Sequence, residues 1–114
     1  MKDLWPAAII KPRYRVITDN DYSGDPDGLV QLAQELLSPS TQTVAVIGTH
    51  LRAGDPWIRT DDTAAEAVVA AEKIVELCGL AGEVPVLKGA VPSMSDRKTA
   101  IDSDGVQAII REAL

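Results

Sequence analysis

The run Thr43-Val44-Ala45-Val46-Ile47-Gly48 constrains the fold more than any other stretch of the chain. It is β-prone, mostly apolar and without polar alternation, as a strand covered on both faces in the middle of a parallel sheet would be. A parallel neighbour must be reached by a crossover, usually a helix. The flanking sequence supplies both parts. Tyr14-Arg15-Val16-Ile17-Thr18 reads as a preceding strand, too apolar at its end for an edge facing water, and Val84-Pro85-Val86-Leu87 reads as a following one. Between the first two strands, Leu29, Leu32, Ala33 and Leu36 recur at helical spacing from a start near Asp27 or Gly28. Ser38-Pro39-Ser40 stops that helix, because the residue before proline avoids the helical region.

Between the second and third strands, Thr63-x-x-Glu66 has the pattern of a capping box. The helix it opens carries an apolar stripe of Ala67, Val68, Ala71, Ile74, Val75 and Cys78, and Gly79 is its stop signal. Ser103 reads as the N-cap of a third helix, with Asp104 in its first turn and Val106, Ile109, Ile110 and Ala113 as its inner face. Alternating strands and helices predict a Rossmann-like, three-layer α/β/α fold with a parallel sheet and right-handed crossovers. Met1 to Arg13, with Pro6 and Pro12, reads as an irregular N-terminal arm; residues 14–114 read as one α/β domain. Three strands make a small sheet for this class, and the chain stops in a helix. The expectation is an unfinished sheet that self-associates as a homo-oligomer.

The charge balance narrows the partners. With 11 basic and 17 acidic residues the net charge is −6, which argues against nucleic acid. No apolar run approaches the ~18 residues of a membrane span. The start of the chain sets charges beside Trp5 and Ile9-Ile10 without the order of a signal peptide. Cys78 is the one cysteine, sits in an apolar helical run and reads as a buried small hydrophobe. A lone cysteine gives no disulfide framework, so the expected location is cytoplasmic.

The chemistry concentrates in Asp19-Asn20-Asp21-Tyr22-Ser23-Gly24-Asp25-Pro26-Asp27-Gly28, which follows the first strand and precedes the first helix. Ligands of open α/β sheets bind beyond the carboxyl ends of strands. Four aspartates there repel one another unless a hard cation or polar ligand neutralises them. The plain alternative is a solvated turn with Asp27 capping the helix. An EF-hand loop is excluded: its twelfth position, a glutamate, is Val30 here, and a strand precedes the loop. A haloacid-dehalogenase-like phosphohydrolase also places Asp-x-Asp after its first strand, with Thr49 and Lys88 as candidates for its later motifs. The further carboxylates of the loop would repel its phosphoryl group, and the later acidic pair of that class is not visible.

Val16-Ile17-Thr18-Asp19-Asn20-Asp21-x-x-Gly24-Asp25-Pro26-Asp27 resembles the N-terminal fingerprint of the inosine/uridine-preferring nucleoside hydrolases. Thr43 to Gly48, Val84 to Ala90 and Ser103 to Leu114 look like that family's following elements, so the resemblance spans about residues 14–114. Family members are much longer, and the chain matches their N-terminal part only. The resemblance implies hydrolysis of the N-glycosidic bond of ribonucleosides by water, through an oxocarbenium-like transition state, with a Ca²⁺ ion held by aspartates. By carry-over Asp21 is calcium ligand and general base, Asp19 supports it, and Asp27 binds both metal and ribose.

Three departures accompany the resemblance. The second aspartate of the family's pair falls on Gly28, for which Asp25 is a candidate replacement as metal ligand. The family's asparagine after the second strand is replaced by Thr49-His50-Leu51; His50 is either a ribose contact or a plain loop residue. The late calcium ligands of the family would lie beyond Leu114, so the shell is short of oxygens and affinity weak. The alternative to an enzyme is therefore a non-catalytic, truncated remnant with at most a weak cation or ribose site. Arg52, Asp55, Arg59, Asp61 and Asp62 read as a solvated loop, and Trp57 as either a base-stacking residue or a cover for the core edge.

Overall fold

The computed structural model describes residues 11–114. Most of the arm expected over Met1 to Arg13 lies outside the described residues; Lys11 to Arg13 have no regular structure, and the Arg13 amide donates to the Ser40 carbonyl at 2.7 Å. Six elements follow in strict alternation: β1 (Tyr14–Asn20), α1 (Asp27–Leu37), β2 (Thr41–Gly48), α2 (Thr63–Leu77), β3 (Val86–Lys88) and α3 (Asp104–Ala113). The three strands form one parallel sheet in the order β1-β2-β3. This is the α/β, Rossmann-like arrangement that the alternation predicts. No helix among the described residues is long and apolar enough to cross a membrane.

The apolar run of β2 is the central strand, with Ala45, Val46, Ile47 and Gly48 all buried. Successive strand residues point to opposite faces. Val46 joins a core with Leu32 and Leu36 of α1 and Ala67, Ala71 and Val75 of α2. Ile47, on the other side, lies against Gly105 of α3 and Gly89. α1 and α2 therefore cover one face and α3 the other. The ladder between β1 and β2 is not regular: Val16 pairs with Thr43 and Ile17 with Ala45, which leaves Val44 as a surplus residue.

Three expectations are corrected. β1 is an edge of the described sheet, not an inner strand, and its Tyr14 is 69% exposed. The N-cap of α2 is Asp62, whose carboxylate accepts from the Ala65 amide at 2.9 Å. Thr63 instead turns its hydroxyl to the Leu51 amide, also at 2.9 Å. The inner face of α3 is Gly105 and Ala108, while Val106, Ile109 and Ile110 are exposed. Gly105 explains the difference. A Cβ there would stand 2.7 Å from the Ile47 side chain, so helix and sheet meet over small residues and the larger ones are left outside. Other expectations hold. Ser103 caps α3 through the Val106 amide, Gly79 ends α2 with φ +73, and Cys78 is buried, which pushes its thiol pKa up.

At Gly48 the sheet meets the backbone of a helix. A Cβ on it would lie 2.7 Å from the Val68 amide nitrogen and 3.0 Å from the Ala67 carbonyl carbon, both of them backbone. Gly48→Ala should force α2 off the end of β2 and lower stability by about 1–3 kcal/mol, read as a lower denaturation midpoint in urea with an unchanged slope.

Candidate functional site

The loops that leave the carboxyl ends of the three strands are tied to one another. The Thr49 amide donates to the Asn20 carbonyl at 3.0 Å, and the Gly89 amide to the Gly48 carbonyl at 2.9 Å, extending the ladders past the strands. Ser23 Oγ donates to the Thr63 carbonyl at 3.0 Å, while Thr63 Oγ1 accepts from Leu51. The start of α2 thus holds the acidic loop and the loop after β2 together. Tyr22 anchors the acidic loop from beneath. Its ring is buried in the core, and its hydroxyl shares a hydrogen bond of 2.9 Å with Thr18. Burial pushes the Tyr22 pKa up, the Thr18 bond opposes this, and the charge of Asp19 adds to the rise.

The four aspartates separate into two groups. Asp19 is the penultimate residue of β1, with Thr49 beside it; desolvation at the strand end pushes its carboxyl up, and the Thr49 hydrogen bond holds it partly back. Asn20 points the other way, toward α1, since its amide nitrogen would stand 2.9 Å from a Cβ built on Gly28. Asp21, Asp25 and Asp27 lie beyond the strand. Asp25 stands beside Asp27, and the close approach of that carboxylate, with a smaller contribution from the charge of Asp21, pushes the Asp25 carboxyl up. α1 itself begins after Pro26 with no side-chain cap, so Asp27 is not spent in capping it.

Asp21, Gly24 and Asp25 form one wall of an open cleft of about 410 Å³, within the usual range for small-molecule sites. Leu51, Arg52, Asp55, Pro56 and Trp57 form the other. Sequence reasoning left Arg52 and Asp55 on a solvated surface. They face the acidic loop because Leu51 packs under Gly24, where a Cβ would come within 3.0 Å of it. No local signal in the chain carries that contact, which spans 27 residues.

The other candidates lie elsewhere. His50 bridges to the loop after β3: Nδ1 is 2.9 Å from the Ala90 carbonyl, and Nε2 is 3.1 Å from Ser93 Oγ. The carbonyl can only accept, so Nδ1 carries a proton. Lys88 reaches Asp62 at 2.5 Å, which lowers the Asp62 pKa.

The fit to a divalent cation is poor as the side chains stand. Among the described residues no three His, Cys, Asp or Glu side chains gather as ligands of one ion. Gly28 supplies no carboxylate, and a side chain there would have to displace the amide tip of Asn20. Ca²⁺ wants six to eight oxygens, and this loop does not present them together. No family model, curated protein or solved structure matches the chain.

The Asp25–Asp27 pair makes a test of pH dependence. Because the Asp25 pKa is raised in the folded state, its contribution is fully present below the ordinary carboxylate range and is lost as pH rises through the folded value. Asp25→Asn keeps the size of the side chain and removes one of the two neighbouring charges. In chelator, melting temperatures of variant and parent should agree at acid pH, and the variant should be the more stable at neutral pH.

Proposed function

We propose that the chain is a nucleoside hydrolase-like unit whose strand-end cleft holds a ribonucleoside. The observation that carries this reading is the acidic wall: Asp21 and Asp25 line an open cleft at the carboxyl end of β1, backed by Asp27. Carboxylates are acceptors without a donor of their own when ionised. They suit a ligand rich in hydroxyl groups, such as ribose. Asp21 lines this cleft with Gly24 and Asp25 of the fingerprint, and it is assigned to the reacting sugar as acceptor and general base.

Calcium belongs to the proposal as the resemblance implies it. Binding the ion would require Asp21, Asp25 and Asp27 to turn toward one point. No chemical step is derived through the metal, because the residues as they stand do not form its shell.

A second reading is favoured by one specific contact. The Asn20 side chain lies where a side chain at position 28 would begin, and with Gly28 there the second carboxylate of the family's pair is missing. On this reading the unit binds ribose without cleaving nucleosides. The phosphohydrolase reading is weaker, since Lys88 is engaged by Asp62 and the loop's carboxylates oppose a phosphoryl group.

The assay that separates the first two is ribose release from inosine and uridine, with and without Ca²⁺. The hydrolase reading expects release that Asp21→Asn lowers by about 100-fold or more. A unit that only binds shows nucleoside affinity by calorimetry and no ribose above the buffer rate. Absence of both affinity and release would sink the proposal.

Self-association belongs to the same reading. β1 is an edge with Tyr14 exposed, and α3 leaves Val106, Ile109 and Ile110 uncovered on the other face. Light scattering should give a mass above that of one 12.1 kDa chain, rising with concentration. A constant monomer mass is the contrary result.

A further inference from the structure

β1 is an edge of the described sheet, yet it carries few of the features that keep edges from pairing. Such strands are commonly short, bulged, or marked with proline or lysine. β1 runs for seven residues, Tyr14–Asn20, with no proline and no lysine. The surplus residue of its ladder, Val44, belongs to β2. The Asn20 carbonyl is turned inward, to the Thr49 amide. By alternation along the strand, the amides and carbonyls of Arg15, Ile17 and Asp19 are turned to the open side. The side chains of these three residues share the face of α3, because Arg15 forms an ion pair with Glu112 of that helix and a strand repeats every second residue. Arg15 and Asp19 are both exposed, and they stand symmetrically about Ile17 with opposite charges.

We propose that a second copy of the chain pairs with this edge, β1 antiparallel to β1 about a two-fold axis at Ile17, so that Arg15 of each copy meets Asp19 of the other. The proposal rests on the reading that the chain self-associates, and it names the surface and the register. On the α3 side Ile17 lies opposite Ile17, and each Arg15 directly opposite an Asp19. On the other side Val16 meets Thr18 and Tyr14 meets Asn20. Directly opposed side chains of an antiparallel pair stand about 4.5–5.5 Å apart at Cβ, so opposite charges there attract and like charges repel. Sliding the register by two residues sets Ile17 against Arg15 or against Asp19. Sliding it by four sets Arg15 against Arg15, or Asp19 against Asp19. The charge pattern therefore selects one closed, isologous dimer. Arg15 keeps Glu112 as it pairs, since the fork of a guanidinium has donors enough for two carboxylates. The two sheets become one continuous sheet, with the clefts of the two copies at its opposite ends, because the paired strands run in opposite directions.

The test follows the mass of the whole chain by sedimentation, with the fold of each variant checked by circular dichroism. Arg15→Asp sets carboxylate against carboxylate across the axis and should weaken association by about ten-fold or more. Asp19→Arg sets guanidinium against guanidinium and should do the same. Mixed in equal amounts, the two variants should recover pairing as a one-to-one complex, since an acidic edge then faces a basic one. A variant that merely fails to fold cannot give that recovery. Glu112→Gln, which removes only the ion pair within the chain, and Ile110→Glu, on the exposed flank of α3, should leave association unchanged. If the unaltered protein associates while Arg15→Asp has no effect, or if the mixture stays apart, the edge pairing is overturned and self-association stands. Loss of association in Ile110→Glu alone would likewise overturn it and assign the contact to α3. A constant monomer mass of the unaltered protein overturns self-association and this pairing with it.

Discussion

Everything in this fold depends on a strand whose last four residues have no wet side. β2 sends Val46 into the layer of α1 and α2 and Ile47 into the layer of α3, and both side chains are almost wholly buried. A buried strand must also satisfy its backbone, and here the parallel ladders to β1 and β3 do so. The neighbours can come close only because glycines stand where they touch. Gly48 admits α2, Gly105 admits α3, and Gly89 lets the loop after β3 lie against Ile47 and Thr49. Dispersion falls off steeply with distance, so this tightness is where the helical layers gain their hold on so small a sheet.

The same closeness sets the site. With α2 pressed on the end of β2, Thr63 reaches both Ser23 and Leu51, and one residue positions loops that follow two different strands. The acidic loop is then a fixed wall, rooted by a buried tyrosine. The facing wall is a turn organised around Asp55.

Much of the architecture was legible in the chain, and the exceptions share a cause. α1, α2 and β2 could be read from periodicity because their apolar positions are also their contact positions. α3 could not. Its large residues trace a clean stripe, yet Gly105 and Ala108 make the contact, since what decides there is approach distance and not hydrophobicity. At the start of α2, Asp62 and Thr63 are adjacent and both able to cap; the demand of Leu51 for a partner decides between them, and that demand comes from a distant loop. The acidic wall was visible as a density of charge. The aromatic wall was not, because Trp57 and Asp21 share a cleft through packing between loops that no local pattern encodes.

The surplus residue at Val44 has a bearing on the site that lies above it. A strand has only two sides, and one extra residue in the ladder exchanges them. Below Val44 the two strands keep one phase; above it they keep the other, in which Asn20 leans over α1 and Asp19 turns to the opposite layer. The pleat thereby divides a cluster that looks continuous when written as letters. One carboxylate is sent behind the sheet's rim to Thr49, and three stay in front, so what this cluster adds to the cleft's negative potential comes from the loop while its neighbour on the strand acts from the far side.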